Sequence, residues 1–451
     1  MELILKIFLE ELFNSYDKNK IKYCILRNYE NLPDDLTASD LDILVFRKHK
    51  HKNKELLSGL IEKFNLTVYH HYYDERFDQY FLYKRTTGTE VFLLKIDFFF
   101  DSELYGVKLI DGEQILKSRI VFKNFYICSD IYKMLDKWLY LYLLNAPLPP
   151  KYDKEFSVIF KQEQEAIEKI LAEILGKKTS REVVETVCRS GFGRLPNVSL
   201  LKRRAVLIRC VVKSPFFHLL HIPRFFYYRM KWYLMPQGEF ISFSGPDGAG
   251  KTTILELVLQ QLKMAFRMSP DNLFHFRPSV FPRLAHMAKN VHLTKTVDED
   301  YERPHRAQTS GFIGSMLRTL YYLLDYTLGY FVKVRPKLVR RELVVFDRYV
   351  YDLTADPGRS RIALPFKLLL FLTGCVRLPD TGLLIYSSPQ RIGERKRELT
   401  EDKIEELNRR YLKLLDKRKN FIRIDNENNP VLTARQVVDT VITRRAKKAK
   451  F

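Results

Sequence analysis

Acidic side chains are missing from one long stretch of this 451-residue chain. None occurs between Glu185 and Glu239, while Arg189, Arg194, Lys202, Arg203, Arg204, Arg209, Lys213, Arg224, Arg229 and Lys231 all lie inside it. That excludes ion pairing within the stretch, so these charges meet a partner from elsewhere or water. Cysteine is sparse too. Cys24, Cys128, Cys188, Cys210 and Cys375 are odd in number and show neither CxxC nor Cys/His clustering, which argues against a disulfide framework or a zinc site and suits a reducing cytoplasm. No apolar run reaches the ~18 residues of a spanning helix. The stretch "MELILKIFLEELFNSY" is interrupted by Glu10 and Glu11 and no small-residue cleavage site follows it, while Leu5, Phe8, Leu12, Phe13 and Tyr16 share one helical face. We expect an amphipathic helix there rather than a signal peptide, and a cytoplasmic protein, soluble or peripheral to the inner face of the membrane.

Positive charge is what the chain has in excess, with a formal net charge of +22. In the acid-free stretch the basic residues interleave with Phe216, Phe217, Phe225, Phe226, Tyr227, Tyr228, Trp232 and Tyr233. Such a mixture can bind anionic lipid at a membrane surface or single-stranded nucleic acid. It can equally be a helical packing element between domains whose charges are solvated. Of the two ligands we expect an anionic membrane rather than nucleic acid, and a homodimer is compatible with the sequence.

The length allows two or three domains, and 46% hydrophobic content is that of an ordinary globular protein. Residues 1–125 read as a helix, the strands "YCILR" and "LDILVF", a polar helix near 52–65 and three further strands ending in "EVFLLKIDFFF", an α+β unit. Helical patterns dominate 126–237, broken by "NAPLPPKYD" and closed by "MPQG". From 238 to 451 the strands "EFISFS", "NLFHF", "LVVFD", "GLLIY" and "FIRID" alternate with helices, which predicts a parallel sheet covered on both faces. No internal repeat or low-complexity segment is present.

The sharpest motif is "FSGPDGAGKTT", residues 243–253. Gly245, four residues, Gly250, Lys251 and Thr252 make a P-loop, in which glycines bring backbone N–H groups around a phosphate. Lysine then reaches the outer phosphates and the hydroxyl binds magnesium. An alternating strand precedes it and a helical pattern follows, the context in which a helix N-terminus faces phosphate. ATP or GTP binding is therefore expected of Gly245, Asp247, Gly248, Ala249, Gly250, Lys251, Thr252 and Thr253. Further on, "LVVFDRYVYD" ends a strand in Asp347, Arg348 and Tyr349, at the sheet edge where ligands bind.

Together "GPDGAGKTT" and "FDRY" resemble thymidylate kinase and its nucleoside-monophosphate kinase relatives, and "PDTGLLIYSSPQRIGERKREL" is similar to that family's later strand and arginine-bearing lid. The resemblance spans 239 to about 445. It implies an α/β P-loop kinase fold, with ATP and Mg2+ as cofactors. Lys251 and the loop amides would hold the β- and γ-phosphates, Thr252 and Asp347 the magnesium. Arg348, Asp247 and Arg277 of "NLFHFRPS" would face the acceptor. The loop itself has no arginine, so the charge on the transferring phosphoryl would come from the lid, from Arg391 or Arg395 and less from Arg397. A solvated helix face is the alternative for these arginines. Two stretches depart from the family, "VDEDYERPHRAQ" (297–308) and "DRYVYDLTADPGRSR" with Asp352, Asp356, Arg359 and Arg361. They resemble a divergent thymidylate-kinase-like group associated with bacterial surface-polysaccharide gene clusters. The acceptor is then dTMP or a related nucleotide, with a sugar or lipid-linked glycan as the alternative. A nucleotide-regulated scaffold with little catalysis is the alternative of another class.

In the front region, Asp40 and Asp42 stand two apart at the start of a strand and so face one side, and Asp97 adds a third acid from a later strand. Such acids can hold two magnesium ions for nucleotidyl transfer. The pattern resembles the nucleotidyltransferase superfamily of DNA polymerase beta over 1–125. Its usual Gly-Ser turn is replaced here by "ILRNYENLP", which leaves Arg27 as the expected triphosphate ligand.

Overall fold

The computed structural model describes residues 2–36, 40–85, 91–192, 195–281, 310–395, 400–427 and 429–449. They form two compact units, 1–231 with 446–451, and 232–445.

The first unit opens with α1 (Glu2–Lys18), in which the five residues expected on one face are all buried. There follow β1 (Tyr23–Ile25), β2 (Leu41–Val45), α2 (Lys50–Lys63), β3 (Thr67–Tyr73), β4 (Phe77–Arg85) and β5 (Val91–Phe99). Beyond them lie β6 (Ser102–Leu104), β7 (Val107–Ile110), α3 (Gly112–Lys117), β8 (Ile120–Phe122) and β9 (Phe125–Ile127). Seven strands pair in the order β3-β4-β5-β2-β1-β9-β8, antiparallel except where β2 meets β5 and β1 meets β9. The sequence pattern did not resolve β6 to β9.

Alternation sorts the two faces of this sheet. Tyr23, Ile25, Ile43 and Val45 join the core under α1 and α2, while Cys24, Leu26 and Leu44 join a second core on the other face. That second core continues into α4 (Asp130–Leu144), α5 (Pro150–Gln162), α6 (Gln164–Leu175), α7 (Lys177–Ser190) and α8 (Leu200–Lys213) through Leu135, Phe156, Leu171, Val184 and Val206. Sheet and helices thus fold around shared apolar side chains. The last helix, α9 (Pro215–Leu234), buries His218, His221 and Phe225.

The second unit contains the five strands that the alternating pattern predicts. These are β10 (Glu239–Ser244), β11 (Leu273–His275), β12 (Leu343–Asp347), β13 (Thr381–Tyr386) and β14 (Phe421–Asp425). Every pairing is parallel, in the order β11-β12-β10-β13-β14. The helices are α10 (Lys251–Ala265), α11 (Phe312–Gly329), α12 (Arg335–Val339), α13 (Val350–Ala355), α14 (Phe366–Thr373), α15 (Pro389–Arg395), α16 (Glu401–Leu415) and α17 (Pro430–Lys448). The chain winds from β10 to one side, through β11 and β12, and then to the other. The carboxyl end of β10 is therefore a switch point, where parallel sheets open a crevice for ligands. Among the described residues no helix is long and apolar enough to cross a membrane.

Gly382 shows how tightly β13 is packed. A Cβ there would fall 2.4 Å from Tyr351 Cε2 and 2.9 Å from Phe421 Cδ2, in rings that stack with centroids 4.3 Å apart. Gly382→Val should therefore destabilise the second unit by about 1–3 kcal/mol, the usual cost of overpacking. Urea denaturation checks this, and an unchanged midpoint would mean that the ring stack yields.

Candidate functional site

The P-loop lies between β10 and α10, at the switch point. Gly245, Gly248 and Gly250 take φ values of +141°, +86° and +85°, conformations that L side chains rarely adopt. Space forbids a side chain as well. A Cβ on Gly245 would sit 2.5 Å from the Ile385 carbonyl oxygen, and one on Gly250 2.5 Å from Asn426 Nδ2. Asn426 also donates to the Ala249 carbonyl at 2.8 Å. Ala249 packs with Ile392 and Ile404, so α15 and α16 brace the loop.

Lys251 is buried at the loop's centre, where its Nζ donates to the carbonyls of Gly245 at 2.9 Å and Pro246 at 2.6 Å. Burial, and then the charge of Arg348, push its pKa down to about 7. Thr252 and Thr253 are exposed on the first turn of α10.

Asp247 and Arg348 meet beneath the loop. Arg348 Nη2 donates to Asp247 Oδ1 at 2.6 Å, while Nη1 donates to Asp352 Oδ1 at 2.6 Å and to the Gly245 carbonyl at 3.0 Å. Arg359 binds the other oxygen of Asp247. Burial alone would raise the Asp247 carboxyl, but Arg348, Lys251 and Arg359 outweigh it and hold it well below the usual carboxylate range. Arg348 reaches this position with φ at +71°, so that it turns under the loop while Tyr349 enters the aromatic core beside Phe240, Phe346 and Tyr326.

Asp347 ends β12 in register with Phe243 of β10, is partly exposed, and lies 3.4 Å from His275 Nδ1. Arg395 is exposed at the end of α15, with Nη1 3.3 Å from where a Gly250 Cβ would be. Arg391 is half-buried on the same helix. Arg277 stands apart from the loop residues in its bonding. It pairs with buried Asp325 at 3.2 Å and lies over the rings of Tyr321 and Tyr322. Arg397 and the stretch 297–308 lie outside the described residues.

Asp352 and Asn426 had no site role in the sequence reading. Asp352 is almost wholly buried and accepts from Ser244 Oγ at 2.6 Å and Tyr411 Oη at 2.8 Å as well as from Arg348. The available signal was its place one helical turn after Arg348. Asn426 had none, being far from the loop in sequence.

In the first unit Asp42 of β2 pairs in register with Asp97 of β5, and one oxygen from each of Asp40, Asp42 and Asp97 lies within 4.8 Å of the others. Cations already engage them. Arg27 Nε donates to Asp42 at 2.6 Å and its Nη1 to Asp136 of α4 at 3.3 Å, while Lys95 Nζ is 2.9 Å from Asp40 and 3.3 Å from Asp97. Burial pushes the Asp97 carboxyl up to about 6 over the pull of Lys95, and Asp42 and Asp40 add to the rise. Three carboxylates, Asp42 and Asp97 on adjacent parallel strands and Asp40 just before β2, suit hard cations such as magnesium or manganese.

The second unit is a parallel α/β fold with a glycine-lined P-loop at its switch point. Residues 243–437 match the family model described as thymidylate kinase. Thymidylate kinase of Leuconostoc mesenteroides subsp. mesenteroides is 27% identical over 127 residues, 28% of this chain and 52% of that protein. That of Lacticaseibacillus casei is 30% identical over 132 residues, 29% of this chain and 54% of that protein. The chain spans about half the length of these curated relatives. Among solved structures, thymidylate kinase from Ehrlichia chaffeensis aligns with 46% of this chain and 99% of its own, at 17% identity and a TM-score of 0.31. Residues 243–437 are thus similar in sequence to thymidylate kinases.

The charge network under the loop predicts a pH signature. Asp247 has a depressed folded pKa, so its stabilisation is complete above the unfolded value near 4 and is lost as pH falls through the lower, folded value. Asp247→Asn should cost about 1–3 kcal/mol at pH 7 by leaving Arg348 and Arg359 short of a carboxylate. Urea titrations of both proteins from pH 7 downward should show the gap beginning to close only below about pH 4. A gap independent of pH would show that Asp247 contributes no charge interaction.

Proposed function

We propose that the second unit is an ATP- and magnesium-dependent kinase that moves the γ-phosphoryl of ATP to a small phosphorylated acceptor, dTMP or a related nucleotide. The acceptor phosphate oxygen attacks the γ-phosphorus, the bond to the β,γ-bridging oxygen breaks, and ADP leaves. The loop amides bind the β- and γ-phosphates. Lys251, now bonded to two carbonyls of its own loop, would exchange them for phosphate oxygens. Thr252 and Asp347, both accessible oxygen donors at the carboxyl edge of the sheet, would hold the magnesium, which neutralises phosphate charge. Arg395, beside Gly250, would supply positive charge to the transferring group.

The state of Asp247 carries the choice of acceptor. A sugar hydroxyl must lose a proton as it attacks, whereas a phosphate oxygen has none to lose. Asp247, ion-paired to Arg348 and Arg359 and held below the ordinary carboxylate range, is a poor proton acceptor. That favours a phosphate acceptor over a glycan.

Labelled ATP and magnesium, offered with a panel of nucleoside monophosphates, sugars and lipid-linked sugars, tests the reading. Transfer to a nucleoside monophosphate is expected, with Lys251→Ala and Asp347→Asn each slowing it about a hundredfold or more. Transfer to a glycan alone would replace the acceptor. Turnover indifferent to both substitutions would overturn the kinase reading.

One observation, the convergence of Asp40, Asp42 and Asp97, favours a second reading for the first unit: a nucleotidyltransferase-type metal site, with Arg27 positioned to turn from Asp42 to a triphosphate. The sheet shares a core with the helices up to α8, so the test uses the full chain, with Lys251→Ala to weaken the P-loop. Manganese with a nucleoside triphosphate should raise its melting temperature. Because Asp97 must be ionised to bind metal and its pKa is about 6, the rise should be smaller at pH 5.5 than at pH 7.5. Asp42→Asn should abolish it. No rise at either pH would leave the first unit without metal chemistry.

A further inference from the structure

Helix α9 has two apolar faces, and only one of them is covered. The inner face is fixed by polar contacts as well as packing. His221 Nε2 bonds Glu103 Oε2 at 2.8 Å, His218 Nε2 accepts from the Lys108 backbone N–H at 3.1 Å, and Phe225 presses on Gly106. Glu103 is itself held by Arg47 at 2.6 Å. These anchors set the rotation of the helix about its axis.

The opposite face is then committed to solvent. Phe216 is 87% exposed, and Leu219, Leu220, Phe226, Tyr227 and Met230 are between 58% and 70% exposed. At 100° per residue these six fall within roughly 120° of one another, centred opposite His218, His221 and Phe225. Arg224 and Arg229, both exposed, flank this stripe on its two sides. No acidic residue occurs between Glu185 and Glu239 to neutralise them.

We propose that the outward face of α9 is a binding surface for an anionic lipid bilayer. An apolar stripe bordered by arginines matches a helix lying in the plane of the interface, with its aromatic and aliphatic side chains at the acyl boundary and its cations at the phosphates. Charge complementarity selects this occupant over a second copy of the chain, because two such faces would bring arginine against arginine with no acid between them. The helix is not apolar enough to span, so it binds along the surface. This inference does not depend on the chemistry proposed for either unit.

Flotation of the full-length protein with phosphatidylcholine vesicles, with and without roughly 30% phosphatidylglycerol, tests it. The protein should float with the anionic vesicles and not the neutral ones, and binding should weaken as salt rises from ~50 to ~500 mM. Leu219→Glu combined with Phe226→Glu, at exposed positions that leave the melting temperature unchanged, should weaken binding more than ~tenfold. Arg224→Gln and Arg229→Gln should each weaken it about fivefold. Absence of flotation at low salt, equal binding to neutral vesicles, or wild-type binding by the Leu219/Phe226 variant would each overturn the proposal. So would displacement of the vesicles by single-stranded oligonucleotide held on the same stripe, or a dimer in light scattering that the same double variant dissociates while flotation persists.

Discussion

Arg348 carries its positive charge into a site almost without water, and the second unit is arranged around keeping it there. Two carboxylates and a loop carbonyl receive its guanidinium, and they come from two elements: Asp247 and Gly245 from the P-loop, Asp352 from α13. Asp352 in turn gathers Ser244 from the end of β10 and Tyr411 from α16. A buried charge that loses a partner is expensive, so these elements hold a common geometry or fail together. The positive φ at Arg348, costing roughly 1–2 kcal/mol in a side-chain-bearing residue, persists because the ion pairs over-determine it. It lets one dipeptide serve two regions, with Arg348 turned to the loop and Tyr349 to the apolar core.

The same constraint shapes the loop's readiness for anions. Lys251, Arg348, Arg359 and Arg395 surround a backbone turn whose carbonyls point inward to Lys251 and Arg348. Carbonyls satisfied from within leave the glycine amides for an outside ligand. The first unit uses paired charge differently. There Arg27 and Lys95 cover the acids of β2 and β5, and Arg47 with His221 covers Glu103 and positions α9. In one case buried cations hold loop carbonyls and Asp247, in the other they occupy an acidic site and fix a helix.

Much of this was readable in the chain. Alternation in "EFISFS" and "LVVFD", helical spacing after Lys251, and the glycines of residues 245–250 specify strand, loop and helix from neighbouring residues alone, because each depends on local backbone geometry and one-sided burial. The paired acids at 40 and 42 were legible for the same reason. The strands β6 to β9 were not, and neither was the anchoring of α9 by His218 and His221, whose partners Lys108 and Glu103 are more than a hundred residues away.

The sequence by itself determined that a P-loop stands at a strand end, that Asp40 and Asp42 face one side at the start of a strand, and that ten basic residues share an acid-free segment. Only the tertiary structure decided what these groups face. Asp352 became the anchor beneath the loop, Arg277 turned to Asp325, Arg395 came to Gly250, and the apolar face of α9 was left uncovered. Each outcome depends on residues tens to hundreds of positions apart meeting in a packed interior, where desolvation makes every charge seek its partner through space rather than along the chain.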